Sequence, residues 1–159
     1  MKHHIVAIPM LLMLAGTACG GSRAVEINPN SQSVATRWNG SLFTPANLAG
    51  ALQIRGQAWM AAHEKNSGET RASVEISNAA PGGLHPWHIH RGRCGADQGI
   101  LGPADAYKPL KVEGNGQAAE TADLPLPIPR TGEFYVSVHA SEKNMGTIVA
   151  CGNLAPPSR

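Results

Sequence analysis

Residues 83–90 read GLHPWHIH and hold three of the seven histidines of the chain. Successive side chains of a β-strand point to opposite faces, so the apolar Trp87 and Ile89 are expected to face a core. His88 and His90 then share the other face, with Cα atoms about 6.5 Å apart. Two imidazoles at that separation can reach one metal ion. The pair therefore indicates either a metal site or a metal-free polar surface.

Residues 132–140, GEFYVSVHA, repeat the same alternation. The positions expected to face the core are apolar: Phe134, Val136 and Val138. The positions between them and after them are polar: Tyr135, Ser137 and His139. Imidazole is a good ligand for copper and zinc, and a set of three histidines leaves an open coordination position. We therefore predict that His88, His90 and His139 lie on the faces that their strands turn away from the core.

Two other histidines fit this pattern less well. His85 is separated from the His-x-His strand by a Pro-Trp step, so we expect it to anchor the turn by a hydrogen bond, with a ligand role as the alternative. His63 lies beside a turn and is expected to be a solvated surface residue.

The rest of the chain has the character of a β-protein. From Trp38 onward, short apolar alternations such as RASVEIS (residues 71–77) are separated by clusters of turn residues. Twelve prolines and eighteen glycines are difficult to place in helices. This pattern predicts an all-β sandwich or barrel. A short helical turn is allowed at residues 45–53.

The N-terminal residues are typical of an export signal. Lys2 is followed by an apolar run at residues 5–14 that is too short to span a bilayer. We predict a signal peptide at residues 1–18, a flexible tether at residues 19–37 and a folded domain at residues 38–155.

The sequence GTAC followed by GGS resembles a bacterial lipoprotein processing site, with Cys19 as the lipidated residue. Plain cleavage after Ala18 is the alternative. The expected location is the periplasm, with the protein held at a membrane only through the lipid anchor.

Charge and cysteine content narrow the range of possible partners and cellular compartments. The formal net charge is only +2, no run of Lys or Arg is present, and aromatic residues make up 4% of the chain, so a nucleic-acid partner is not expected. If Cys19 carries lipid, Cys94 and Cys151 remain as an even pair. In an oxidising compartment a disulfide is the default expectation for such a pair, and two free thiols are the alternative.

Three short motifs resemble the copper/zinc superoxide dismutase family. GLHPWHIH resembles the family's GLHGFHVH strand, which carries two copper ligands. VSVHA (residues 136–140) resembles the strand that ends in a further copper ligand. VACGNL (residues 149–154) is similar to the LACG segment, whose cysteine is disulfide-bonded. The motifs occur in the family's order, and the resemblance covers residues 52–154.

The resemblance implies a role for each of these residues. His88, His90 and His139 correspond to copper ligands, and His85 corresponds to a structural histidine that binds no metal. It also implies a disulfide between Cys94 and Cys151. The implied fold is an eight-stranded Greek-key β-sandwich, with the metal outside the barrel and under flanking loops.

The chain also departs from the family pattern. In the family, the loop after the first cysteine supplies a histidine that bridges copper and zinc, followed by further zinc ligands. Here residues 94–117 contain no histidine, and Asp97 and Asp105 are the only acidic residues before Glu113. Two carboxylates alone are poor zinc ligands, so no zinc site is expected.

The family's substrate-attracting arginine is also missing, because Ile148 occupies its position. Arg91, Arg93 and Lys143 are the candidates for positive charge near the metal.

Three functions follow from these observations. The first is a copper-only enzyme of the superoxide dismutase type that acts on superoxide, with Tyr107, Asp105 or water as the fourth ligand. The second is a non-catalytic protein of the cell envelope that stores or buffers copper. The third is a metal-free interaction domain.

Overall fold

The computed structural model describes residues 37–51 and 53–157. The predicted signal peptide at residues 1–18, the tether up to residue 36 and the lipidation predicted at Cys19 lie outside the described residues. None of the helical structure within the described residues has the length and apolar character needed to span a bilayer.

The described residues contain ten strands and one short 3₁₀ helix, Ala104–Ala106. The strands are β1 (Trp38–Phe43), β2 (Arg55–His63), β3 (Asn66–Ser77), β4 (Leu84–His85), β5 (Trp87–Arg93), β6 (Ala96–Ile100), β7 (Leu110–Lys111), β8 (Ala118–Leu124), β9 (Phe134–Ser141) and β10 (Asn144–Leu154). The all-β prediction is confirmed.

Eight of the strands form one curled antiparallel sheet in the order β6-β5-β9-β10-β1-β2-β3-β8. Strands β4 and β7 pair separately. Two long connections, from β3 to β5 and from β6 to β8, link opposite ends of the sheet. As a result, β8 lies beside β3 and β9 lies beside β5, which is connectivity of the Greek-key type.

The hydrophobic core joins the two halves of the curled sheet. Trp38 on β1 meets Phe134 on β9 edge to face, with ring centroids 5.1 Å apart. The buried indoles of Trp38 and Trp87 donate to the carbonyls of Pro129 and Lys108, at 2.9 Å and 2.8 Å. Burying a large apolar side chain contributes about 1.5–3 kcal/mol, and these hydrogen bonds remove the cost of burying the indole N–H.

A disulfide ties β10 to the turn that follows β5. The Sγ atoms of Cys94 and Cys151 are 2.00 Å apart and close a loop with a sequence separation of 57 residues. The backbone N–H of Cys94 also donates to the side-chain oxygen of Asn153 at 2.9 Å. The expected pairing of the two cysteines is therefore present in the fold, and free thiols are not.

Removing this disulfide should destabilise the protein strongly. A cross-link over a loop of this length lowers the entropy of the unfolded chain by an amount worth about 4 kcal/mol. We expect Cys94→Ser to lower the free energy of unfolding, measured by urea denaturation, by several kcal/mol. Cys151→Ser and the reduced wild type should show similar losses, because all three break the same bridge. A loss below about 1 kcal/mol would contradict a stabilising role for the bridge.

Candidate metal centre

Three histidines from two neighbouring strands converge on one point. His88 and His90 come from β5 and His139 comes from β9. One ring nitrogen from each lies within 4.8 Å of the other two. The antiparallel register pairs His88 with Ser137, which places His139 diagonally across from His88, within reach of a long side chain. The three rings could therefore hold one metal ion.

The expected alternation of faces is present on both strands. The core contains Trp87 and Ile89 together with three residues of β9, namely Phe134, Val136 and Val138. The three histidines lie outside that core cluster, yet their exposed fractions are only 6–7%. The sequence predicted the face but not this degree of burial.

Two tyrosines help to cover the histidine face. The ring of Tyr107 packs edge-on against His88, with centroids 5.2 Å apart. The ring of Tyr135 stacks on His90 at 5.0 Å with an interplanar angle of 23°. The candidate metal centre is therefore a shielded site between the sheet and aromatic side chains.

Hydrogen bonds define which ring nitrogens are available to a metal. His90 Nδ1 lies 2.8 Å from Asp97 Oδ1, and His139 Nδ1 lies 2.6 Å from the carbonyl oxygen of Met145. The Gly99 N–H and His90 lower the pKa of Asp97, so its carboxylate is ionised and accepts. Because both oxygens accept, each Nδ1 donates a proton. The Nε2 atoms of His90 and His139 are then the unprotonated nitrogens.

Two of the three histidines carry a buried ring nitrogen without a partner. His88 Nδ1 and His90 Nε2 are buried and have no hydrogen-bond partner. His139 Nε2 has only the hydroxyl of Ser137, at 3.0 Å. An unsatisfied buried polar atom costs about 1–3 kcal/mol, and coordination to a metal would remove that cost. The donor set therefore fits a metal ion bound by three imidazoles.

Burial also keeps two of these imidazoles neutral. Burial, together with charge repulsion from His139 and His90, lowers the pKa of His88 to about 4. Burial likewise lowers the pKa of His139. Neutral imidazole is the form that coordinates metals, so these residues are ready to bind at neutral pH.

The two remaining histidines of the described chain have other partners. His85 lies on β4, and its Nδ1 donates to the carbonyl oxygen of His139 at 2.9 Å, in agreement with the expected anchoring role. It lies outside the group of three, and its own Nε2 is buried without a hydrogen-bond partner. His63 was expected to be a solvated surface residue, but its side chain is only 13% exposed. Its Nε2 lies 2.9 Å from the Arg71 guanidinium.

Two of the three cations proposed to attract an anion are engaged by other groups. Arg93 forms an ion pair with Glu133, and Arg91 donates to the carbonyl oxygen of Ile100 at 3.1 Å. Lys143 is exposed in the turn between β9 and β10. The Arg93 guanidinium is thus held beside Glu133 and the Arg91 guanidinium beside the Ile100 carbonyl.

The side chains suggested as a fourth ligand lie outside the group of three histidines. The Tyr107 hydroxyl donates to the carbonyl oxygen of Leu101 at 2.7 Å, and burial raises the pKa of this phenol. Asp105 is exposed on the 3₁₀ helix. Among the described residues, the group of potential ligands contains the three histidines and no carboxylate.

The metal-free protein should lose stability as the pH falls below the ordinary histidine range. The pKa of His88 is about 4 in the folded protein against an ordinary value of 6.5, so the unfolded chain binds more protons between these values. Stability is then fully present above about pH 6.5 and declines toward pH 4, by about 1.4 kcal/mol for each unit of pKa shift.

Urea denaturation of the metal-free protein at several pH values between about 4 and 7.5 measures this loss. His88→Gln should give a shallower dependence, because the lowered pKa is removed. Equal slopes in the variant and the wild type would contradict the assignment of the effect to His88.

A scan against protein-family models finds no match to this chain, and a search of curated proteins finds no relative. The likeness to superoxide dismutases therefore depends on the short motifs of residues 83–154 and stays a prediction.

Proposed function

We propose that this chain is a copper-binding, superoxide dismutase-like protein of the cell envelope, with His88, His90 and His139 as the ligands and no zinc site. The observation that carries the proposal is the convergence of three buried imidazoles, two of which have a ring nitrogen without a partner. All three donors are imidazole nitrogens. Such ligands suit copper, and copper(II) binds such sites more tightly than the other divalent first-row metals do.

The absence of histidine in residues 94–117 supports a centre with one metal. A second ion would need its own cluster of donors. Within the described residues, the three histidines form the single group of three or more potential ligands.

The residues around the centre would hold the ion in a fixed and shielded geometry. Met145 and Asp97 orient two of the rings by accepting from their Nδ1 atoms, and Tyr107 and Tyr135 limit the access of water. When bound, copper supplies one-electron chemistry, in which one superoxide is oxidised to dioxygen and a second, with two protons, is reduced to hydrogen peroxide.

The disulfide supports a location in the cell envelope. Disulfides persist in oxidising compartments, and Cys94 and Cys151 form one. The expected signal peptide and the lipid at Cys19 belong to the same proposal and place the domain in the periplasm at a membrane.

One set of observations favours the second candidate function, non-catalytic storage or buffering of copper. The three rings are only 6–7% exposed, Arg93 is paired with Glu133, and an apolar residue, Ile148, replaces the family's arginine. With Arg93 paired and no arginine at position 148, less positive charge is free to attract an anionic substrate, and positive charge near a site raises the rate of encounter.

Metal content distinguishes copper binding from a metal-free domain. We expect the mature protein, purified from an exporting host and reconstituted, to hold about one copper and no zinc per chain by elemental analysis. His139→Ala should lose most of the copper, since it removes one of three ligands. The control, His63→Ala, removes a histidine outside the centre and should keep it. No tight copper in the wild type would leave the metal-free interaction domain as the function.

The rate of superoxide consumption distinguishes a dismutase from a protein that stores copper. We expect the copper-loaded wild type to consume superoxide faster than an equal concentration of free copper ion, and His139→Ala to lose that advantage. His63→Ala should retain it. A wild-type rate equal to that of free copper would reject the dismutase function and leave copper storage.

A further inference from the structure

We propose that Asp97 is a positioning residue, which fixes the ring of His90 with Nε2 directed to the metal and strengthens its hold on a divalent ion. This inference rests on the proposed copper-binding function. It concerns a carboxylate that the sequence suggested only as an inadequate zinc ligand.

The β5–β6 pairing brings Asp97 to His90. The register places His90 opposite Ile100 and Gly92 opposite Asp97, with an irregularity between the two pairs. Gly92 at this irregularity has a φ of 96°, a conformation that favours glycine. The local distortion allows a side chain of β6 to reach the edge of a ring on β5.

Two hydrogen bonds anchor the carboxylate. Asp97 Oδ1 accepts from His90 Nδ1 at 2.8 Å and from the backbone N–H of Gly99 at 2.8 Å. The bond from Gly99 holds the side chain in place independently of the histidine. The Asp97 side chain is 56% exposed, and these two hydrogen bonds hold its carboxylate against the buried ring of His90.

An ionised carboxylate can only accept, so this contact selects one tautomer of His90. The proton is held on Nδ1, and Nε2 keeps its lone pair. That Nε2 is buried and without a partner. Tyr135 stacks on the ring face, with an interplanar angle of 23°, and opposes rotation of the ring. The nitrogen left for the metal is thus specified by Asp97.

The hydrogen-bond acceptor of His90 differs in charge from the hydrogen-bond acceptor of His139. His139 Nδ1 donates to a neutral backbone carbonyl, whereas His90 Nδ1 donates to a carboxylate. A carboxylate partner makes an imidazole more basic, and loss of such a partner typically lowers metal affinity 10–100-fold. A more basic ligand favours the more highly charged ion, so Asp97 should stabilise copper(II) more than copper(I).

The first test determines the tautomer of His90 in the metal-free protein. We expect ring ¹⁵N chemical shifts of the metal-free wild type to show a protonated Nδ1 and an unprotonated Nε2. Asp97→Ala should convert His90 to a mixture of tautomers. Asp123→Asn is the matched control, because it removes a surface carboxylate that binds Arg71, and it should leave the His90 signals unchanged.

The second test measures affinity for copper(II) and copper(I) by competition with chelators. We expect Asp97→Ala to weaken copper(II) binding about 10–100-fold and copper(I) binding less. Asp97→Asn keeps an acceptor but removes the charge, so its loss should be smaller than that of Asp97→Ala. Asp123→Asn should bind as the wild type does.

The outcomes separate this inference from the proposed function. A wild type that binds no copper overturns the proposed function, while the tautomer of His90 still decides whether Asp97 positions the ring. A wild-type His90 with its proton on Nε2 overturns the role of Asp97. Equal copper(II) affinities for Asp97→Ala and Asp123→Asn overturn it as well.

Discussion

The pairing of β5 with β9 is the constraint on which the metal centre depends. Its register sets His88 opposite Ser137 and His90 opposite Tyr135, and so brings His139 to the same point. A slip of one residue in either strand would turn the histidines of that strand toward the core and its apolar residues away from it. The apolar faces of both strands are buried in one core, which makes such a slip costly. The geometry of the centre is thus a consequence of how the core packs.

Without a metal, the three-histidine centre lowers the stability of the folded protein. Burial disfavours the charged form of His88 and His139, and two ring nitrogens lack hydrogen-bond partners. Each unsatisfied nitrogen costs about 1–3 kcal/mol, which the core and the disulfide offset. Such local costs are expected at functional sites. They support the interpretation that the three imidazoles are arranged for a ligand rather than for stability.

Local periodicity predicted part of this arrangement and could not predict the rest. Alternation along one strand is a property of adjacent residues, so the faces of Trp87 and His88 could be read from the sequence. The contact between Asp97 and His90 could not, because it depends on an irregular pairing of β5 with β6. The covering of His88 by Tyr107 likewise depends on a distant loop. The pairing of Cys94 with Cys151 was expected on the condition that Cys19 carries lipid, and it agreed with the family resemblance. The ion pair of Arg93 with Glu133 could be found only from the fold.

A crystal structure of the copper-loaded protein would show whether the three imidazoles share one ion. We expect one copper ion bonded to His88 Nδ1, His90 Nε2 and His139 Nε2, with the hydrogen bonds from His90 to Asp97 and from His139 to Met145 intact. Copper bound elsewhere, or the three rings turned apart so that they share no ion, would contradict this prediction.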